Sequence, residues 1–257
     1  MIGDVHGCYD ELMELHETAV YEYNDGVPFQ YVILVGDLCN KGPHSTRVIR
    51  HVQTTERWFS VRGNHDDGAL LAALGDESRR RKEKYQWIFG GTCNANNNDD
   101  INNDSNDDGL SDQDILWMSN LPYTIRIPGG MIGETLDTVV VHAGLVPGVA
   151  LEQQSIGTMI TLREVVEPNS GNHPDGMNIH ATKAGLRRPW ASVWQGPFRV
   201  IFGHDARRGL QLCDMANGLD TGACYGKQLT GMILPGRQLV QVKAKQVYQA
   251  AGANKDD

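Results

Sequence analysis

Five short stretches carry side chains that can bind metal or move protons. They are Gly3-Asp4-Val5-His6-Gly7, Gly36-Asp37, Arg62-Gly63-Asn64-His65-Asp66, and the pair Val141-His142-Ala143-Gly144 with Phe202-Gly203-His204-Asp205. Taken singly, each has a bland explanation. An Asp-x-His can be a turn with a satisfied histidine, and a Gly-Asp after an apolar run is usually a turn closed by the aspartate. A lone histidine in a sheet protein is more often core or surface than ligand. Together and in this order they point to a binuclear metal site.

Phosphate chemistry explains why such a set is needed. A phosphate ester or anhydride is anionic and repels hydroxide. Two divalent cations ~3.5–4 Å apart cancel that repulsion, acidify a bridging water and hold the phosphorus in line. Such a pair needs a shared carboxylate, for which Asp37 is the natural choice. Asp4 and His6 would complete the shell of one ion, and Asn64, His142 and His204 that of the other. Mixed nitrogen and oxygen ligands suit Mn, Fe or Zn better than Mg or Ca. The absence of thiolates fits a catalytic site with open positions. The expected cofactor is therefore two divalent transition metal ions, and the expected partner an anionic, phosphate-containing substrate. The leaving oxygen needs a proton. His65 follows Asn64 directly, which makes it the candidate general acid beside Asp37. Lys41 and one or more of Arg163, Arg187, Arg188 and Arg207 are candidate phosphate contacts, with solvated surface charge as the alternative.

The elements that must hold these residues follow from periodicity. Residues 9–23 place Leu12, Leu15, His16 and Ala19 at helical spacing, and 44–53 can form a second helix. Apolar runs at 31–35, 58–65, 139–143 and 199–203 each end in a loop bearing His, Asp or Asn. In open α/β sheets, sites form outside the carboxyl ends of strands. Ser111 and Asp114 resemble a capping box opening a helix at 112–120. Residues 122–128 alternate as a half-buried strand, and strand-like runs recur at 229–235 and 238–244. The first motif begins at Gly3, so the strand that should precede it has almost no residues. This reads as a start trimmed from a longer chain, with Asp4 and His6 poorly supported.

Residues 94–110 are almost all Asn and Asp and read as a disordered insertion. Within it, Asp104, Asn106, Asp108 and Gly109 open a calcium-loop pattern. Its twelfth position is Ile115, where a bidentate Glu is required, so a solvated linker is the better reading. Across the 257 residues, 40% are hydrophobic and 21% charged, as in an ordinary globular protein. The formal net charge of -9 argues against general nucleic-acid affinity. The five cysteines are odd in number and lack C-x-x-C spacing, which points away from a disulfide framework and toward a reducing compartment. No run is long enough to span a membrane. The chain as given is expected to be cytoplasmic, or vacuolar if a targeting segment precedes it.

The motif order G-D-x-H-G, G-D-x-x-x-x-G, R-G-N-H-[DE], H-A-G-L, G-H-D-A runs from Gly3 to Ala206. It resembles the calcineurin-like metallophosphoesterases of the phosphoprotein phosphatase superfamily. The resemblance implies an α/β sandwich of two mixed sheets flanked by helices, in a single domain over residues 1–257, and supports the ligand set above. Protein serine/threonine phosphatases carry G-D-x-V-D-R-G. Here Asn40 stands for the aspartate that orients the acid histidine, and Lys41 for the phosphate-gripping arginine. A lysine lacks the bidentate fork. An asparagine is expected to accept a hydrogen bond from the histidine without stabilising an imidazolium as a charge would. The K-G-P variant, with the tail Leu219-Asp220-Thr221-Gly222-Ala223-Cys224-Tyr225-Gly226, resembles the ApaH-like phosphatases. That implies phosphoanhydride substrates such as polyphosphate or dinucleoside polyphosphates. It also adds Tyr225 to Lys41 and Arg163 as expected substrate contacts. A serine/threonine protein phosphatase is the enzymatic alternative, and a catalytically inactive scaffold the alternative of another class.

Overall fold

The computed structural model describes residues 1–90, 109–167 and 186–250. The Asn/Asp-rich stretch, including Asp104, Asn106 and Asp108 of the calcium-loop pattern, lies outside them apart from Gly109 and Leu110. The first sheet pairs β1 (Val32–Leu34) with β2 (Trp58–Ser60) in parallel. On its other side lies the antiparallel pair β10 (Gln228–Ile233) and β11 (Gln238–Lys243).

Residues 1–3 join these two halves. Ile2 bridges Leu34 in parallel and Gly231 antiparallel. Its N–H donates to Ile33 O at 2.9 Å and its carbonyl accepts from Val35 N at 3.0 Å, while Gly3 N donates to Thr230 O at 2.9 Å. A segment this short takes the central place in the sheet, and Asp4 and His6 follow it directly. The expectation that they are poorly supported is corrected: hydrogen bonds on both sides hold the backbone leading into them.

The second sheet has the order β3 (Thr124–Ile127), β4 (Thr138–Val141), β7 (Arg199–Phe202), β9 (Ala216–Gly218), β8 (Gln211–Leu212). Its three central strands are parallel and both edges antiparallel. Successive side chains on a strand point to opposite faces. Val140 and Ile201 therefore point between the sheets, against Ile33, Val35, Val61, Leu219 and Met232. Val139, Val141, Val200 and Phe202 point the other way, onto Trp190, Trp194 and Met159. Burial on both faces explains why these strands read as continuous apolar runs.

Helices cover the outer face of the first sheet. They are α1 (Tyr9–Tyr23), α2 (Ser45–Thr54), α3 (Asn64–Ala73) and α5 (Asp112–Ser119), through Leu12, Leu15, Val48, Ile49, Leu70 and Met118. A short helix α4 (Glu77–Arg80) and a 3₁₀ segment (Glu83–Phe89) follow α3. On the far side stand α6 (Ile156–Thr161) and the antiparallel pair β5 (Glu164–Glu167) and β6 (Leu186–Pro189). The expected capping box is present: Ser111 Oγ accepts from Asp114 N at 3.2 Å, and Asp114 Oδ2 accepts from Ser111 N at 2.9 Å. Ile115 lies inside α5 and packs against the core, so the twelfth position of the calcium pattern is a helix interior. Helix α3 was not foreseen, because 58–65 read as a strand running into a loop. Cys8, Cys39, Cys213 and Cys224 are free thiols, while Cys93 lies outside the described residues. Among the described residues, no helix is long and apolar enough to cross a membrane.

Leu219 is fully buried between the sheets. Leu219→Ala should therefore cost about 2–5 kcal/mol of stability, read as a lower urea midpoint. An unchanged midpoint would contradict this packing.

Candidate metal centre

The carboxyl ends of the strands bring the chemistry together. Asp37 follows β1, Asn64 and His65 open α3 just past β2, and His142 and His204 follow β4 and β7. His6, Asp37 and His204 have positive φ, at 48°, 51° and 68°. This backbone conformation costs non-glycine residues about 1–2 kcal/mol each, and packing must hold it in place. Two motif glycines make room for the carboxylates. A Cβ on Gly63 would collide with Asp37 Oδ1, and one on Gly203 with Asp4 Oδ1.

Asp37 is the hub. One carboxylate oxygen lies 3.5 Å from His6 Nε2, and the other 3.3 Å from His142 Nε2. Its Oδ1 also accepts from His65 N at 2.9 Å, which ties it to the start of α3. His204 with His142 and Asp37 makes one group of closely spaced ligand atoms, and His6, Asp37 and His65 make a second. Asn64 Oδ1 stands 2.9 Å from His142 Nε2. The Asp4 carboxylate accepts from His204 N at 3.0 and 3.1 Å.

The ring tautomers test whether cations fit here. His6 Nδ1 faces Cys39 O at 3.0 Å, and His142 Nδ1 faces Val35 O at 2.9 Å. A backbone carbonyl only accepts, so both rings carry their proton on Nδ1 and turn a bare Nε2 lone pair inward. Burial holds His142 down at about 4 and His6 well below the usual histidine range, so both rings are neutral at pH 7. Bare lone pairs facing a carboxylate at such distances repel unless a cation lies between them. His204 Nε2 is buried with no hydrogen-bond partner, and burial likewise depresses that ring. Burial and the neighbouring Asp220 and Asp37 push Asp4 well above the usual carboxylate range, and burial raises Asp37. The donor set fits divalent cations.

Two buried acids were missed by sequence reasoning. Asp66 Oδ1 accepts from Leu38 N and Oδ2 from Gly63 N, both at 2.9 Å, so it clamps the Asp37 loop to the start of α3. Burial pushes it up to about 6. Its place in the R-G-N-H-D run was the available signal. Asp220, beside Asp4, accepts from Gly222 N at 3.1 Å, and burial raises it too. Arg62 of the same run serves the scaffold: it is 8% exposed and donates to Ser119 O at 2.6 Å and Tyr123 Oη at 3.0 Å.

The cationic candidates separate. Lys41 Nζ lies 3.3 Å from His6 Nε2 and 5.1 Å from the centre of the Tyr225 ring, which brings Lys41 to the edge of the His6 side of the centre. Arg163 Nη2 donates to His204 O at 3.2 Å. Arg187 is mostly exposed and pairs with Glu164 at 3.6 Å. Arg188 is half-buried on β6, and Arg207 is exposed in the turn after His204. Asn40 departs from expectation. Trp87 Nε1 donates to its Oδ1 at 2.6 Å, and its Nδ2 faces His65 Nδ1 at 3.0 Å. Asn40 thus presents a donor to the histidine and not an acceptor.

A calcineurin-like phosphoesterase family profile matches residues 1–213. The chain belongs to that family. Family membership makes it a metal-dependent hydrolase and accounts for the sandwich fold. This phosphoesterase is 25% identical to an asymmetrical bis(5'-nucleosyl)-tetraphosphatase of Bacillus velezensis, over 100% of this chain and 96% of the relative. It is 28% identical to a symmetrical bis(5'-nucleosyl)-tetraphosphatase of Methylobacillus flagellatus, over 94% and 93%. It is also 26% identical to a zinc-dependent endopolyphosphatase of Saccharomyces cerevisiae, over 90% of this chain and 74% of that one. A crystal structure described as a diadenosine tetraphosphatase superposes with a TM-score of 0.68 and 30% identity, over 95% of this phosphoesterase and 91% of that chain.

Asp4 and Gly203 cannot both keep their places once a Cβ is added. Gly203→Ala should weaken metal binding about 10–100-fold while the circular dichroism spectrum stays native. Native metal retention after dialysis would contradict the packing described.

Proposed function

We propose that this phosphoesterase hydrolyses phosphoanhydride bonds, in inorganic polyphosphate or in dinucleoside polyphosphates, at a centre holding two divalent transition metal ions. The observation that carries the reading is the convergence of neutral histidine lone pairs on the two oxygens of one buried carboxylate, Asp37. Asp37 would be shared, with Asp4 and His6 on one side and Asn64, His142 and His204 on the other. Mn, Fe and Zn all suit this donor set, and one relative is named as zinc-dependent. When bound, such ions supply charge neutralisation at the phosphate and a more acidic water.

The chain's own residues bind and orient. Lys41, beside the Tyr225 ring and 3.3 Å from His6 Nε2, would hold phosphate oxygens as a compact point charge. Arg163, anchored on the His204 carbonyl, is the second phosphate contact. His65, fixed at the start of α3 beside Asp37, is the hydrogen-bond donor to the leaving oxygen. Three relatives named as acting on polyphosphate chains or dinucleoside tetraphosphates support an anhydride substrate. So does the Asn40-Lys41 pair, which departs from the protein-phosphatase pattern.

Two variants separate the roles. Asp37→Asn should lose both bound metal, by elemental analysis, and turnover. His65→Ala, which removes the donor to the leaving oxygen, should keep the metal and lose roughly 10²–10³-fold in turnover. Normal rate and two bound ions in Asp37→Asn would overturn the ligand scheme. In a panel of polyphosphate, diadenosine tetraphosphate and a phosphoserine peptide assayed with Mn or Zn, the anhydrides should be turned over preferentially. Turnover of the phosphopeptide alone would favour a protein phosphatase.

A further inference from the structure

Trp87 lies on the 3₁₀ segment after α4, outside every motif, yet it is 3% exposed and reaches toward the centre through Asn40. An indole N–H can only donate. Its 2.6 Å bond to Asn40 Oδ1 therefore fixes which end of the amide faces inward. The inward end is the NH₂ group, 3.0 Å from His65 Nδ1. Asn40 is itself buried, and its N–H donates to Ser45 Oγ at 2.9 Å, which holds the backbone while the indole holds the side chain. A donor facing Nδ1 requires a bare lone pair there, so the ring proton sits on Nε2.

We propose that Trp87 and Asn40 are positioning residues that hold His65 as its Nε2–H tautomer, and that this tautomer selects phosphoanhydrides over alkyl phosphate monoesters. The inference rests on the functional reading above. A protonated Nε2 is not a metal ligand, so His65 stands beside the centre without joining it. It can lend a hydrogen bond to the leaving oxygen, but surrendering its only ring proton would leave an imidazolate facing the site. In anhydride hydrolysis, the oxygen of water bonds to phosphorus and the P–O bond to the bridging oxygen breaks. That oxygen keeps the electron pair and departs on a phosphate, while the proton of the water passes to solvent. A phosphate, with a second pKa of about 6, leaves as a stable anion and needs only the hydrogen bond. An alkoxide, about as basic as hydroxide, needs a full proton, which this tautomer does not deliver.

A carboxylate at position 40 would still accept the indole N–H. It would also accept a proton-bearing Nδ1, so the ring could give up its Nε2 proton and end neutral. Asn40→Asp should therefore raise the kcat/KM ratio of an alkyl phosphate to pyrophosphate-linked substrate by about tenfold. Trp87→Phe, which frees the amide to turn over, should move the ratio the same way by less. Long-range ¹H–¹⁵N spectra of the zinc-loaded wild-type protein read the tautomer without any variant. The expected result is a bare Nδ1 and a protonated Nε2 on His65. A proton on Nδ1, or a ratio unchanged in both variants, would overturn the proposal. A wild-type protein inert toward anhydrides would instead overturn the functional reading, and the spectra would still judge the role of Trp87 and Asn40.

Discussion

Asp37 places its two carboxylate oxygens against the bare lone pairs of His6 and His142, at 3.5 and 3.3 Å. This arrangement repels itself unless cations fill it, and much of the structure serves to maintain it. Carbonyls of Cys39 and Val35 set the two tautomers. The backbone of His6, Asp37 and His204 is held at positive φ. Asp66 binds the Asp37 loop to the start of α3, and Gly63 and Gly203 leave the volume that two carboxylates need. Burying charge without compensation costs several kcal/mol per ion. Raised carboxylates at Asp4, Asp37 and Asp220, together with depressed histidines, are the electrostatic form of that cost. The fold supports it by drawing on the packing of two sheets and their covering helices.

Much of this could be read from the residues. Apolar runs ending in His, Asp or Asn became strands with the site at their carboxyl ends, because burial on both faces leaves a continuous apolar signal. Ser111 and Asp114 announced the start of α5 because capping is local chemistry. What escaped was set by tertiary contact. Helix α3 was hidden because its first turn carries the motif itself, and Asn64 and His65 look like loop residues when read alone. The Ala- and Leu-rich run after them and the acidic pair Asp66-Asp67 were the overlooked signals. The support that residues 1–3 give Asp4 was also invisible, since it depends on the late strand β10.

The neighbours of the centre show the same division. Lys41 and Tyr225 are distant in sequence, yet the lysine's Nζ lies 5.1 Å from the centre of the Tyr225 ring, a neighbourhood that spacing could not show. Arginines cannot be sorted by sequence, because each has a nearby acid or carbonyl that only the fold selects: Arg163 takes the His204 carbonyl, and Arg187 takes Glu164. At Asn40 the residue type was read correctly and its direction was not. An amide can face a histidine with either end, and a tryptophan 47 positions along decides which. That contact separates this centre from one built around an aspartate, and it connects a residue outside the motifs to His65.

In the proposed centre one carboxylate, Asp37, is shared by two ions. Electron paramagnetic resonance of the manganese-loaded protein tests it most directly, since two Mn(II) ions joined through a common carboxylate are exchange-coupled. A coupled-pair spectrum is expected at two equivalents of manganese per chain. A spectrum of isolated Mn(II) ions alone at saturation would contradict it.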